Sequence, residues 1–252
     1  MLKKRLIPCL LIKDFILVKS IRFDYMRNVG SPISAARVFN SRDVDELVLL
    51  DIKATSDGCG PNIDIISDIT EECFMPLTVG GGVRNAEDVR LLLKAGADKV
   101  SVNTAALQNP DMVRESAKMF GSQCIVVSID AKSDGRGGYD VLTHSGKKAT
   151  GIDPVKWAVR AEELGAGEIL LTSVDRDGTK EGYDIELTQK VSDAVSIPVI
   201  ASGGVGKLSD FVDGIVSGHA SAVAAASIFL FTQFTPKNAK EYMKQHGIDV
   251  RL

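Results

Sequence analysis

The chain carries nearly the same glycine turn twice. Residues 79–83 read Val-Gly-Gly-Gly-Val and residues 201–205 read Ala-Ser-Gly-Gly-Val, each after a short apolar run that begins near a proline. Gly81 and Gly203 lie 122 residues apart, which is close to half of the 252-residue chain. A strand that leads through a glycine turn into a helix exposes backbone N–H groups, and the helix dipole there favours an anion. The duplicated turn therefore predicts a ligand with a phosphate at each end.

Short β-branched runs alternate with amphipathic segments along the whole chain. Residues 86–94 and 154–164 have helical periodicity, with Asn85 and Asp153 as predicted N-caps. Eight βα units predict one (βα)8 TIM barrel, a single α/β domain over residues 1–252 with an internal half-barrel repeat. The alternative, an open doubly wound sheet, lacks a G-x-G-x-x-G motif after the first strand. The eight predicted strands are 5–11, 46–51, 76–80, 99–103, 124–130, 168–173, 198–202 and 222–226.

Two longer segments interrupt this rhythm, at residues 13–29 and 133–151. The second is rich in glycine and in short alternating runs, which predicts a hairpin. Both segments follow strand C-termini, at the face where barrel active sites lie.

Composition limits the kinds of ligand and partner. A formal net charge of −3 without a basic run argues against a nucleic-acid partner. No run of 18 apolar residues is present, so no membrane segment is expected and the cytoplasm is the expected location. The cysteines form no C-x-x-C pair and lie far from histidines, so neither a metal nor another cofactor is expected. Small molecules and proteins remain as partners.

Polar and small residues follow the strands that neighbour each glycine turn. A phosphate site after strands seven and eight is frequent in this fold. The alternative is that the glycines only permit tight turns. We name the two sets phosphate cups: the first comprises Gly81, Gly82, Asn103 and Thr104, and the second comprises Gly203, Gly204, Ala226 and Ser227.

Three aspartates are candidates for chemistry at the same face. Asp130 closes the apolar run 124–129, where a carboxylate can have a raised pKa and act as a general acid or base, or else can cap the next loop. Asp177 and Gly178 are predicted to form a ligand-facing turn after strand six. Asp51, at the end of strand two, could point inward or fix a loop.

Four charged residues stand at or near strand N-termini, at the opposite end of the predicted barrel. Such a ring can serve stability, as is usual at this face, or form a polar opening to the barrel interior. Its members are Arg5, Glu46, Lys99 and Glu168.

Together these segments resemble the cyclase subunit of imidazole glycerol phosphate synthase, a glutamine amidotransferase of histidine biosynthesis. The resemblance implies a lyase that binds a bis-phosphate ribonucleotide and receives ammonia through the barrel from a glutaminase subunit docked on its bottom face. The four-residue ring matches the ammonia gate of that family, Lys19 matches its mobile-loop lysine, and Asp130 matches one of two catalytic aspartates. The matching stretches are 5–10, 45–51, 76–104, 121–132, 168–184, 197–204 and 224–229.

The chain departs from the family at the mouth of the predicted barrel. Leu11 replaces the second catalytic aspartate, Phe15 replaces a glycine and Leu230 replaces a histidine. Losing a general acid or base typically lowers a rate about 10²–10⁴-fold. The pattern favours a paralogue that still receives ammonia but passes it to a third, amidating enzyme. That enzyme would use the ammonia to amidinate a nucleotide sugar or a sialic-acid-like sugar in surface-polysaccharide synthesis. A working cyclase is the alternative; an isomerase on the related histidine-pathway barrel is disfavoured equally by Leu11.

Overall fold

A computed structural model describes residues 3–42 and 44–252; residues 1, 2 and 43 lie outside the described part. Eight parallel strands form a barrel, and all eight predicted strands are confirmed, with bounds that shift by a few residues at most. The barrel strands are β1 (Arg5–Lys13), β4 (Leu47–Asp51), β5 (Leu77–Gly80), β6 (Lys99–Val102), β7 (Ile125–Ser133), β10 (Glu168–Ser173), β11 (Val199–Ser202) and β12 (Ala222–Ala225).

The sheet closes on itself. Neighbouring barrel strands pair in the order β10, β11, β12, β1, β4, β5, β6 and β7, and β7 pairs in turn with β10. In this last pairing Asp130 lies beside Thr172. The closed parallel sheet confirms the TIM barrel and rules out the open doubly wound alternative.

Helices cover the outside of the barrel. The predicted caps are confirmed, because Asn85 accepts a hydrogen bond from the Asp88 N–H and Asp153 accepts one from the Lys156 N–H, each at 3.0 Å. These caps satisfy backbone donors that a helix N-terminus leaves unpaired. The helices are α1 (Pro32–Asn40), α2 (Ile63–Thr70), α3 (Ala86–Lys94), α4 (Thr104–Gln108), α5 (Asp111–Phe120), α6 (Pro154–Glu163), α7 (Ile185–Ser192), α8 (Leu208–Val216), α9 (Ser227–Phe231) and α10 (Pro236–Gln245).

Both inserted segments are antiparallel extensions of barrel strands. The hairpin predicted within 133–151 is confirmed as β8 (Tyr139–Thr143) and β9 (Lys148–Ala149), which continue from β7. The first segment also forms strands, β2 (Ile16–Ile21) and β3 (Tyr25–Gly30), which continue from β1. The first and fifth barrel strands therefore carry equivalent extensions, as an internal half-barrel repeat would give.

The apolar core has two parts. The larger part lies between the strands and the helices. The smaller part fills the barrel interior, because alternate residues of each strand point inward. Its buried members are Ile7, Cys9, Val48, Val126, Leu170, Ile200, Ala222 and Ala224. Among the described residues, no helix has the length and apolar character needed to cross a bilayer.

Candidate active site

One cavity at the C-terminal mouth of the barrel brings together the predicted ligand-binding residues. Both phosphate cups line it, and so does the predicted acid–base residue Asp130. Three further predicted residues line the same cavity: Lys19, Asp177 and Gly178.

The cup glycines are required by the backbone itself. Gly81 has φ +103° and Gly204 has φ +106°. A Cβ atom would lie 2.1 Å from the Asp51 carbonyl oxygen at the first position and 2.1 Å from the Gly182 carbonyl oxygen at the second. Only glycine fits such a turn, so tight-turn geometry and anion binding are compatible explanations of the same residues.

The long helices begin a few residues after these turns, and α3 starts where the predicted cap Asn85 places it. Helix α3 begins at Ala86, after its cap Asn85, and α8 begins at Leu208. The short helices α4 and α9 begin at the cup residues Thr104 and Ser227 instead. The Thr104 hydroxyl also accepts a hydrogen bond of 3.0 Å from the His144 N–H, which ties the β8–β9 turn to the first cup.

The carboxyl of Asp130 has the raised pKa that was predicted for this position. Burial raises its pKa to about 7; a hydrogen bond from Asn103 opposes the rise, and the charge of Asp177 adds to it. The Asn103 Nδ2 atom donates to Asp130 Oδ2 at 2.8 Å. A carboxyl with a pKa near neutrality can both donate and accept a proton, as a general acid or base must.

The side chain of Asn103 is turned toward Asp130. Its Nδ2 atom also donates to the Leu142 carbonyl at 3.3 Å, and its buried Oδ1 atom has no hydrogen-bond partner among the described residues. Both amide donors are thus engaged within the protein, which leaves the backbone of Asn103 and the neighbouring Thr104 to serve an anion.

The opposite wall of the mouth is apolar. Leu11 lines the cavity with Leu50, and both pack against the interior core. Asp51 also lines the cavity, and its Oδ1 accepts from the N–H groups of Lys53 and Ala54 at 2.9 and 3.0 Å, which fixes the loop after β4. Asp14 is exposed, and its Oδ1 lies 2.6 Å from Lys53 Nζ.

Lys19 lies on β2 of the first hairpin, formed by β2 and β3, and its side chain forms a buried ion pair. Its Nζ atom is 2.9 Å from both carboxylate oxygens of Asp177, and the residue is only 5% exposed. The Arg22 N–H donates to the Asp177 carbonyl at 2.8 Å. A Cβ at Gly178 would lie 2.5 Å from the Ser20 carbonyl oxygen. The hairpin therefore packs closely on the turn after β10 and covers part of the mouth.

The four charged residues at the other end of the barrel form a closed ring of ion pairs. Arg5 pairs with Glu46 at 2.6 Å and with Glu168. Lys99 Nζ lies 2.9 Å from Glu46 and 2.9 Å from Glu168. Thr78, which was not predicted to join the ring, donates its hydroxyl hydrogen to Glu46 at 2.7 Å. The ring closes the bottom of the barrel interior.

Several hydroxyl side chains that were not predicted also line the mouth, among them Ser101, Ser128 and Thr172. The position of Ser128 could have been predicted from the sequence, because it stands two residues before Asp130 and alternate residues of a strand share a face. No group of three or more His, Cys, Asp or Glu side chains within 3–42 and 44–252 is arranged to hold a metal.

A closed (βα)8 barrel with a buried carboxylate and two glycine turns at its C-terminal mouth has the architecture of a TIM-barrel enzyme. The sequence model of the histidine biosynthesis protein family matches residues 5–235. The chain belongs to this family, whose members are isomerase and cyclase enzymes of histidine biosynthesis.

Proposed function

We propose that the chain is a cyclase-subunit-like component of a glutamine amidotransferase of the imidazole glycerol phosphate synthase type. The observation that carries this proposal is the pairing of two features on one barrel axis. A charged ring of Arg5, Glu46, Lys99 and Glu168 closes the bottom. A cavity with Asp130 and two glycine cups opens at the top.

The proposed substrate is a ribonucleotide with two phosphates. The cups lie after β5 and β6 and after β11 and β12, on opposite sides of the mouth, because these strand pairs are separated by two strands in either direction around the barrel. A ligand with one phosphate in each cup would span the mouth above Asp130. Lys19 is the proposed cationic contact for the ligand. To bind a phosphate, its ammonium group must leave its ion pair with Asp177.

The proposed path of ammonia is the barrel interior. Between ring and mouth the interior is lined by apolar side chains, among them Ile7, Val48 and Val126. Neutral ammonia crosses such a lining more readily than an ion does, since burying an unpaired charge is very unfavourable. The ring would then act as the gate between the interior and a docked glutaminase.

Leu11 supports the paralogue form of this function. In the family, closing the imidazole ring of the product needs two acid–base groups, and Leu11 stands at the position of the second. We therefore propose that the chain passes the ammonia to a third, amidating enzyme. That enzyme would amidinate a nucleotide sugar in surface-polysaccharide synthesis. The second candidate is a working cyclase of histidine biosynthesis, favoured by the two cups and by the pKa of Asp130.

The bottom face offers an apolar contact for the glutaminase. Phe74 is 82% exposed three residues before β5 and is thus on the same side as the ring. It borders a surface depression with Met75 and Leu252. Exposed aromatic side chains of this kind often dominate the binding energy of an interface.

Binding of a glutaminase subunit tests this proposal, with a matched pair of phenylalanine variants. Phe74→Ser at the bottom face is expected to weaken the complex at least about tenfold, whereas Phe15→Ser at the top, 67% exposed, should bind like the unaltered chain. The measurement is titration calorimetry, with stimulated glutamine hydrolysis as a second readout. No complex with the unaltered chain, or equal losses in both variants, would contradict a bottom-face partner.

A further inference from the structure

The internal repeat extends past the glycine turns to a pair of buried aspartates. Asp88 and Asp210 lie 122 residues apart, the same spacing that separates Gly82 from Gly204. Both side chains are buried, and each is the third residue of its helix, α3 or α8. We name them the anchor aspartates. Carboxylates are rarely buried unless they have partners, so the contacts of these two indicate their role.

Each anchor aspartate binds the backbone between a glycine cup and the helix that follows it. Asp88 Oδ2 accepts a hydrogen bond from the Arg84 N–H at 2.9 Å, and Asp210 Oδ2 accepts one from the Gly206 N–H at 2.8 Å. Arg84 and Gly206 each stand two residues after the last glycine of a cup and one residue before the helix cap. Both contacts therefore lie outside the helix, on the short segment that leads back to the cup.

A single residue separates each of these bonded N–H groups from its cup. It is Val83 in the first half and Val205 in the second; both are buried, and both line the cavity at the mouth. Gly82 and Gly204 precede them, with φ +71° and +106°. With a buried side chain on one residue and a hydrogen bond to the next, the segment has little freedom to move. The anchor aspartates therefore fix the orientation of the cup backbone.

Helix capping accounts for only part of this arrangement. An acidic side chain at the third helical position commonly accepts from the N–H of the cap residue. Asp210 does so, from Lys207 at 3.0 Å. Asp88 instead accepts from the guanidinium of Arg84, at 2.9 and 3.0 Å. The contact that both halves share is the hydrogen bond to the segment after the cup, so a role common to the two cups explains it best.

We propose that Asp88 and Asp210 are positioning residues for the two phosphate cups, each acting on the cup of its own half. The inference rests on the proposed bis-phosphate substrate and adds the groups that keep its binding sites in shape. A preformed cup binds an anion more tightly than one that must be ordered during binding. The described residues that line the cavity include both cups but neither aspartate, so the two act through the backbone.

Titration with inorganic phosphate, followed by amide NMR resonances, tests the two cups separately. The Gly82 amide reports the first cup and the Gly204 amide the second. In Asp88→Ala, the Kd measured at Gly82 should rise at least about tenfold, because a lost hydrogen bond releases the segment. The Kd measured at Gly204 should change less than about twofold, since distant sites act independently. Asp210→Ala should give the opposite pattern.

The control Asp153→Ala removes the cap of α6, whose hydrogen bond lies within its own helix, and should change neither Kd. A conservative variant supplies a second comparison. Asp210→Asn keeps an oxygen that can accept both backbone hydrogen bonds, so its Kd at Gly204 should stay within about threefold of the unaltered chain. If an alanine variant does not fold, the glutamate variant at that position decides. Glutamate suits the third helical position, but its extra methylene displaces the segment and should raise the Kd of the same cup.

Equal losses at both cups, as a general destabilisation would give, would overturn the positioning role. A Kd that stays unchanged at the cup beside the altered aspartate would overturn it too. If phosphate shifts neither amide in the unaltered chain, the cups bind no phosphate, and the proposed substrate fails together with the inference. If phosphate binds both cups with the same Kd in the unaltered chain and in the variants, only the inference fails.

Discussion

Asp130→Asn is expected to stabilise the chain by about 2 kcal/mol at pH 8 and to change its stability little near pH 4. The pKa of Asp130 is about 7 in the folded chain, against an ordinary value of 3.8. Between these values the folded state keeps a proton that the unfolded state has lost, so stability falls as pH rises toward 7. The full shift corresponds to about 4 kcal/mol, and the solvent that reaches the mouth reduces this to about half. Asparagine cannot ionise, so the variant loses this dependence of stability on pH.

Urea unfolding at pH values from 4 to 8 measures the effect of Asp130→Asn. The matched control is Asp68→Asn, which alters an exposed carboxylate on α2. Equal pH dependence in the Asp130 variant and the unaltered chain would contradict the raised pKa and, with it, the acid–base role proposed for this residue.

Lys99→Met is expected to lower the free energy of unfolding by about 3 kcal/mol. Lys99 bridges Glu46 and Glu168, whose side chains are 2% and 6% exposed. Removing one partner of a buried ionic group leaves charge without compensation, which typically costs about 3–5 kcal/mol. Arg5 still contacts both carboxylates, so the loss should be near the lower end of that range.

The control for Lys99→Met is Lys190→Met, which breaks an exposed ion pair with Glu186. Exposed pairs of this kind contribute about 0.3–0.5 kcal/mol. Adding Glu168→Gln to Lys99→Met should recover part of the loss, because it removes one of the uncompensated charges. Denaturant unfolding at pH 7 gives all three values. A loss no larger than that of the Lys190 control would show that the ring is not electrostatically coupled.

The barrel could be predicted because its pattern is local. Most strands are short apolar runs, and two of the helices have caps that could be read from the sequence, Asn85 and Asp153. The ring could also be anticipated, since residues at strand N-termini meet at one end of any parallel barrel. The short helices α4 and α9 at the cups were not predicted, because neither has a side-chain cap that a sequence pattern could reveal.

The rest of the site depends on contacts between distant segments. Lys19 and Asp177 are 158 residues apart in sequence, and only the closed barrel brings the first hairpin against the turn after β10. The orientation of the Asn103 amide depends on Asp130 and on the Leu142 carbonyl, which lies in the second hairpin. Periodicity predicts which face a residue occupies, but not which of these partners it selects.

The proposed function is tested most directly with the substrate of the cyclase family, a ribulosyl aminoimidazole-carboxamide nucleotide that carries two phosphates. Its turnover with ammonium salt is measured for the unaltered chain and for Leu11→Asp. If the cups, the interior and Asp130 are intact and only the second acid–base group is missing, the variant should turn over at least about 10²-fold faster than the unaltered chain. Equal and substantial turnover by the unaltered chain would contradict the paralogue role and identify a working cyclase.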